Sequence, residues 1–139
     1  MYFIGVDDKS GLPVFESKVA CGFPSPADDF LEETLSLDNY LVKNRVSSFF
    51  VRAQGQSMYP LIKDGDLLCV DRSVRPQSGD IILAVIEGEF TIKELVIKSN
   101  EHYLRAHNKK YSNIKIHDEM NFEVWGVVIG SISKFKRDL

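Results

Sequence analysis

The sequence predicts a mainly β protein: antiparallel strands in a partly closed barrel or curled sheets, preceded by an extended arm and one or two short helices. Three observations carry that prediction. From Phe49 onward, short aromatic and β-branched runs alternate with glycine-containing turns, the texture of strands joined by tight connections. Asp80 to Ile86, Glu87-Gly88 and Phe90 to Ile97 form the clearest hairpin, two apolar stretches around a two-residue turn. Near the start, Gly5, Gly11 and Pro13 interrupt any helical period.

The elements follow in order. Met1 to Ala20 reads as an extended arm without a core of its own. It runs into Lys18-Val19-Ala20-Cys21-Gly22-Phe23-Pro24-Ser25-Pro26, small residues and then glycine and two prolines, which cannot be helical at its centre. Such a segment serves either as a plain linker or as the added strand that a protease cleft accepts. Ser25 then offers a helix cap, Pro26 suits a first helical position, and Asp28 and Asp29 suit the positive end of the helix dipole. A short helix through Leu31 to Leu35 is expected, and a second from Leu37 to Lys43 with Ser36 as its cap. Strands are expected at Ser48 to Ala53, Leu67 to Val70, Asp80 to Ile86, Phe90 to Ile97, Tyr103 to Ala106, Ile114 to His117 and Phe122 to Ile132. The expected organisation is thus an arm over residues 1–21, a linker with short helices over 22–45 and a β domain over 46–139.

Composition narrows the function classes. A chain of 139 residues with 44% hydrophobic and 27% charged residues has material for one core. A net charge of -3 argues against direct nucleic-acid binding, which needs clustered Lys and Arg. The basic cluster Lys134, Lys136 and Arg137 is expected to be a solvated end. No apolar run approaches the roughly 18 residues of a membrane span, and the first residues have no signal-peptide pattern, so a cytoplasmic protein is expected. Cys21 and Cys69 are then expected as thiols. His102, His107 and His117 lack zinc-ligand spacing with the cysteines, and neither metal nor cofactor is expected.

Two stretches carry the chemistry. Ala53 to Asp66 holds Ser57 just after Gly55, where a strand ends and turns; glycine there leaves room for a substrate backbone near the serine. In Glu89 to Leu95 one lysine, Lys93, interrupts an apolar strand. Strand alternation places Thr91, Lys93 and Leu95 on one face and Phe90, Ile92, Glu94 and Val96 on the other, so Glu94 is turned away from Lys93. A general base must be neutral, whereas a free lysine has a pKa of about 10.4. Burial among apolar neighbours disfavours the ammonium, and Thr91 is available as a hydrogen-bond partner. A buried lysine beside an exposed serine makes a nucleophile without histidine. Taken singly, however, Ser57 reads as a turn serine and Lys93 as a strand-edge residue, and no spacing rule pairs them.

The segments Gly55-Gln56-Ser57-Met58, Asp64-Gly65-Asp66-Leu67-Leu68, Gly79-Asp80, Thr91-Ile92-Lys93-Glu94-Leu95 and Gly126-Val127-Val128 together resemble the LexA/UmuD family of self-cleaving Ser-Lys peptidases. The resemblance covers the chain from Ala20 onward, and Cys21 to Ala27 looks like that family's cleavage region. It implies a LexA/UmuD-type peptidase fold and self-cleavage between Cys21 and Gly22, releasing residues 1–21. Ser57 is implied as nucleophile and Lys93 as general base; the oxyanion is expected at the N–H of Ser57 and at that of Gln56, in the turn at Gly55 and Gln56. It also implies stimulation by a RecA filament on single-stranded DNA during the SOS response. The product is implied to act as a homodimer and a subunit of a UmuC-type error-prone polymerase in translesion synthesis.

Other readings differ in chemistry. A non-catalytic β module would bind a polymerase or RecA filament with Ser57 and Lys93 inert. A stand-alone peptidase of the signal-peptidase kind would need a membrane anchor. A histidine hydrolase built on His117 and Asp118 is disfavoured, because adjacent strand residues point to opposite faces.

Overall fold

The computed structural model describes residues 11–15 and 31–139. These fall in two units, divided between Lys43 and Asn44.

In the first unit, β1 (Leu12–Phe15) pairs antiparallel with β2 (Leu31–Leu35), and α1 (Leu37–Leu41) follows. The helix expected at Leu31 to Leu35 is therefore a strand. Five residues close scarcely one helical hydrogen bond against a costly nucleation, whereas a partner strand offers a ladder at once. That partner, with Leu12 opposite Leu35 and Val14 opposite Glu33, comes from within the stretch expected to be unpaired arm. The second helix forms as expected but is shorter, and Ser36 at its N-cap makes no side-chain capping bond. The expected cap at Ser25 and the Cys21-Gly22 bond lie outside the described residues.

The second unit is an antiparallel sheet of seven strands. They are β3 (Ser48–Arg52), β4 (Leu67–Asp71), β5 (Ile81–Ile86), β6 (Glu89–Lys98), β7 (Glu101–Arg105), β8 (Ile114–Ile116) and β9 (Phe122–Ile132). The spatial order is β3-β4-β9-β5-β6-β7-β8, so the sheet stays open, with β3 and β8 at its edges. The expected strands are all present, with ends differing by one or two residues. Glu87 and Gly88 both have positive φ, 49° and 84°, as a two-residue primed turn requires.

Strand β9 is the long member, and it passes between β4 and β5 with two irregularities. At Trp125 and at Ile129 an extra residue bulges the ladder, which bends the strand and re-aims its side chains. Gly126 lies between them because a β carbon there would come within 2.6 Å of Val70 Cγ1. Adjacent residues of β5 serve two apolar clusters. Ile82 and Ala84 pack with Leu95, Leu104 and Val127, while Ile81 packs with Met58, Ile62 and Leu68. Met58 and Ile62 come from the loop after β3, so the second cluster anchors the segment that carries Ser57.

Candidate active site

The loop between β3 and β4 is held by its own backbone before any side chain acts. The Ala53 N–H donates to Asp66 O at 2.8 Å, and the Gly65 N–H returns to Ala53 O at 2.9 Å. Gly55, at φ 91°, donates its N–H to Asp64 Oδ1 at 2.7 Å. Beyond it the chain winds through a turn, with the Tyr59 N–H on Gln56 O and the Ile62 N–H on Met58 O. Buried Met58 and Ile62 pin that turn to the core, leaving Ser57 half-buried beside them.

A second anchor departs from the expectation of a solvated C-terminal end. Asp66 is 2% exposed, and the Arg137 guanidinium donates to its Oδ1 at 2.9 Å and to Asp64 O at 2.7 Å. Arg137 is thus a clamp on the turn below the Ser57 loop rather than part of a solvated end. Burial pushes the Asp66 carboxyl up, but the Lys63 N–H, the Ser133 hydroxyl and Arg137 hold it below the ordinary carboxylate range. The acidic turn Lys63-Asp64-Gly65-Asp66 and an isolated basic end were the available signals; nothing local joined them.

Lys93 sits on β6 opposite Ile82 of β5, with buried Leu95 two residues on. It is one of the few charged residues in the interior, 9% exposed. Its Nζ lies 3.1 Å from Ser57 Oγ, 2.7 Å from Thr91 Oγ1 and 3.2 Å from Ile92 O. These acceptors are neutral, and burial therefore pushes the Lys93 ammonium pKa down. Glu94 points elsewhere, as alternation requires, accepting from Arg105 Nη2 at 3.0 Å and pairing with His107 Nε2 at 2.7 Å. His117 and Asp118 are exposed, and no bond joins them among the described residues.

A groove of about 450 Å³ opens beside the pair. Phe49, Val51 and Ala53 of the β3 region, Gly55, Ser57 and Met58 of the loop, Thr91 and Ile92 of β6 and the bulged Trp125 are among its lining residues. Phe90 meets Trp125 edge to face, with centroids 5.2 Å apart, and Arg72 covers Trp125 at 4.2 Å. Sequence reasoning placed Ser57, Lys93, Gly55 and Gln56 in the site but did not single out Trp125, Asn108 or Arg137. Asn108 donates its N–H to Ser57 O and its Nδ2 to Gln56 O, both at 2.9 Å.

Residues 13–129 match the family model described as peptidase S24-like, most of the chain. The chain belongs to that family. Among similar proteins, SamA of Salmonella typhimurium is 38% identical over 127 residues, covering 91% of this chain and 88% of SamA. ImpA of the same species is 45% identical over 93 residues, 66% of this chain and 64% of ImpA. The LexA repressor of Mannheimia succiniciproducens is 36% identical over 129 residues, 91% of this chain and 60% of the repressor. The chain thus aligns with rather less than two thirds of the ImpA relatives and of that repressor. Kinship with both UmuD-like and LexA proteins places it in the LexA/UmuD family of the sequence resemblance. Among the described residues, no helix is long and apolar enough to cross a membrane.

Proposed function

We propose that this S24-like protein is a serine peptidase that cuts its own chain between Cys21 and Gly22, with Ser57 as nucleophile and Lys93 as general base. The observation that carries the proposal is the 3.1 Å approach of Lys93 Nζ to Ser57 Oγ, with Lys93 buried and no carboxylate among its hydrogen-bond partners in the described residues. A neutral amine has two N–H donors and one lone pair. Thr91 Oγ1 and Ile92 O account for the donors, which leaves the lone pair for the Ser57 O–H.

The steps balance on these atoms. Nζ takes the Ser57 proton as Oγ attacks the Cys21 carbonyl carbon. The oxyanion meets the Ser57 N–H, in the Gly55-Gln56 turn. Nζ then protonates the departing Gly22 nitrogen, leaving an ester between Ser57 and Cys21. Nζ next deprotonates a water that attacks the ester carbonyl and passes that proton to Ser57 Oγ as it leaves; the products are residues 1–21 ending in a carboxylate and residues 22–139 beginning with an amine. Val19, Ala20 and Cys21 are small enough for a narrow groove, so Cys21 is substrate and not nucleophile.

Kinship with ImpA, SamA and MucA supports an SOS mutagenesis role. In this reading a RecA filament on single-stranded DNA stabilises the arrangement in which residues 20–22 occupy the groove. The shortened homodimer then serves a UmuC-type error-prone polymerase in the cytoplasm. Tethered substrate has a high effective concentration, so control lies in how often the segment enters and Lys93 becomes neutral.

The test needs only purified protein. Incubation over an alkaline pH series, followed by intact mass, is expected to show loss of residues 1–21 that speeds up as pH rises through the Lys93 transition. Ser57→Ala and Lys93→Ala are each expected to slow this by on the order of 10⁴ or more. Cleavage at another bond, or either variant cutting normally, contradicts the assignment. Protein that stays whole but still binds a RecA filament would favour the non-catalytic module.

A further inference from the structure

We propose that Asn108 is a positioning residue that aims the Ser57 N–H at the oxyanion; this rests on the Ser57 and Lys93 reading above. Asn108 follows β7 in the stretch Arg105-Ala106-His107-Asn108, which has no recognisable catalytic motif and stands 52 positions from Gln56. It nonetheless grips the nucleophile from both sides. Its Nδ2 donates to the carbonyl before Ser57, that of Gln56, and its backbone N–H donates to the carbonyl of Ser57 itself, each at 2.9 Å.

The consequence comes from peptide geometry. The Gln56 carbonyl and the Ser57 N–H belong to one planar trans unit, and in such a unit they point in opposite directions. Donors drawn up to Gln56 O therefore fix the direction of the Ser57 N–H, which has no acceptor among the described residues. Two donors do this: Asn108 Nδ2 at 2.9 Å and the Tyr59 N–H at 3.1 Å. The Tyr59 bond is local and turns with the loop. Asn108 is fixed from outside the Ser57 loop, in the bend three residues after β7 ends at Arg105, with its Oδ1 accepting the Lys110 N–H at 3.0 Å. It thus ties the direction of the oxyanion donor to the sheet that also carries Lys93.

The experiment uses the full chain, with Asn108→Ala and Asn108→Asp followed by intact mass over the alkaline pH series and by thermal melting. Aspartate keeps the size of asparagine and its acceptor for Lys110 but has no N–H for Gln56 O. Both variants are expected to lose about tenfold or more of the rate at the high-pH plateau. The loss stays below the 10²–10³ of a wholly absent oxyanion donor because Tyr59 still holds the carbonyl. In Asn108→Ala the pH midpoint stays where Lys93 sets it. A residue that only shapes its own turn would instead leave Asn108→Asp near wild type, and that outcome overturns the inference. So does a plateau within twofold of wild type in either folded variant, or an Asn108→Ala midpoint that moves while its plateau is kept. Wild type that never cleaves removes the dyad reading and this inference together; a cleaving wild type with an unimpaired Asn108→Asp removes this inference alone.

Discussion

Two interior charges lie close to the Ser57 loop, Asp66 where the loop ends and Lys93 against Ser57 itself, and the protein treats them in opposite ways. Asp66, 2% exposed, is given the Lys63 N–H, the Ser133 hydroxyl and the Arg137 guanidinium. Lys93, 9% exposed, is given two hydroxyls and a carbonyl. The first set stabilises a charge and the second does not. The difference separates a structural charge from one held ready to lose its proton, and burial alone would not distinguish them. Glu94 makes the same point one residue from Lys93: its charge goes to Arg105 and His107 on the other side of β6.

The sharpest way to break the contrast is to give Lys93 what Asp66 has. Thr91 Oγ1 is 2.7 Å from Nζ, so Thr91→Asp sets a carboxylate beside the ammonium. An opposite charge at that range favours the charged form by about one to three pKa units. Self-cleavage near neutral pH is therefore expected to fall about tenfold to a thousandfold, with the wild-type rate recovered only at higher pH. The full pH profile by intact mass checks this; a profile superimposable on wild type would mean that Lys93 is not the base.

The reverse operation removes the partner of Asp66. Arg137→Ala leaves the carboxylate buried with fewer donors. Breaking a fully buried pair costs about 3–5 kcal/mol, but this guanidinium is 43% exposed and solvent screens it, so about 1–3 kcal/mol is expected. The sign with pH follows from a folded-state carboxyl held below its ordinary value. Its contribution is present above the unfolded pKa of about 4 and is lost as pH falls through the folded one. Denaturant titrations of wild type and Arg137→Ala should differ most near neutrality and converge in acid; equal stability at neutral pH would return Arg137 to the role of a solvated end.

How much of this was legible depends on how far apart in the chain the cooperating residues lie. The β5-β6 hairpin and the facing of Thr91, Lys93 and Leu95 follow from a local period of two, and both were readable. So was the turn at Gly55, whose positive φ needs glycine. Ser57 and Lys93 meet across 36 positions, and Asp66 and Arg137 across 71, and no local pattern encodes either meeting. The resemblance supplied the first pair and said nothing of the second. Leu31 to Leu35 failed for the same reason, since its strand partner at Leu12 to Phe15 lies beyond the stretch with the prolines. Asn108 had no signal at all, because one of its two grips uses the backbone.

The smallest effect expected is also the one that separates stability from function at this site. A lysine whose folded pKa is pushed down binds fewer protons folded than unfolded, so its burial opposes folding while pH is below the folded value. As pH rises from there to the unfolded value of about 10.4, that opposition fades. Lys93→Met keeps the length and apolar stem and removes the charge. It is therefore expected to melt a few degrees higher than wild type at neutral pH, with the gap closing as pH climbs through the lysine transition, while self-cleavage is lost. Paired melting curves for the uncut Ser57→Ala protein and for Ser57→Ala with Lys93→Met avoid any contribution from the released segment. A double variant that melts lower at neutral pH would show that the bonds to Thr91 and Ile92 outweigh desolvation. Lys93 would then resemble Asp66 after all, a charge the fold supports, and the contrast between the two sites would have to rest on Ser57 alone.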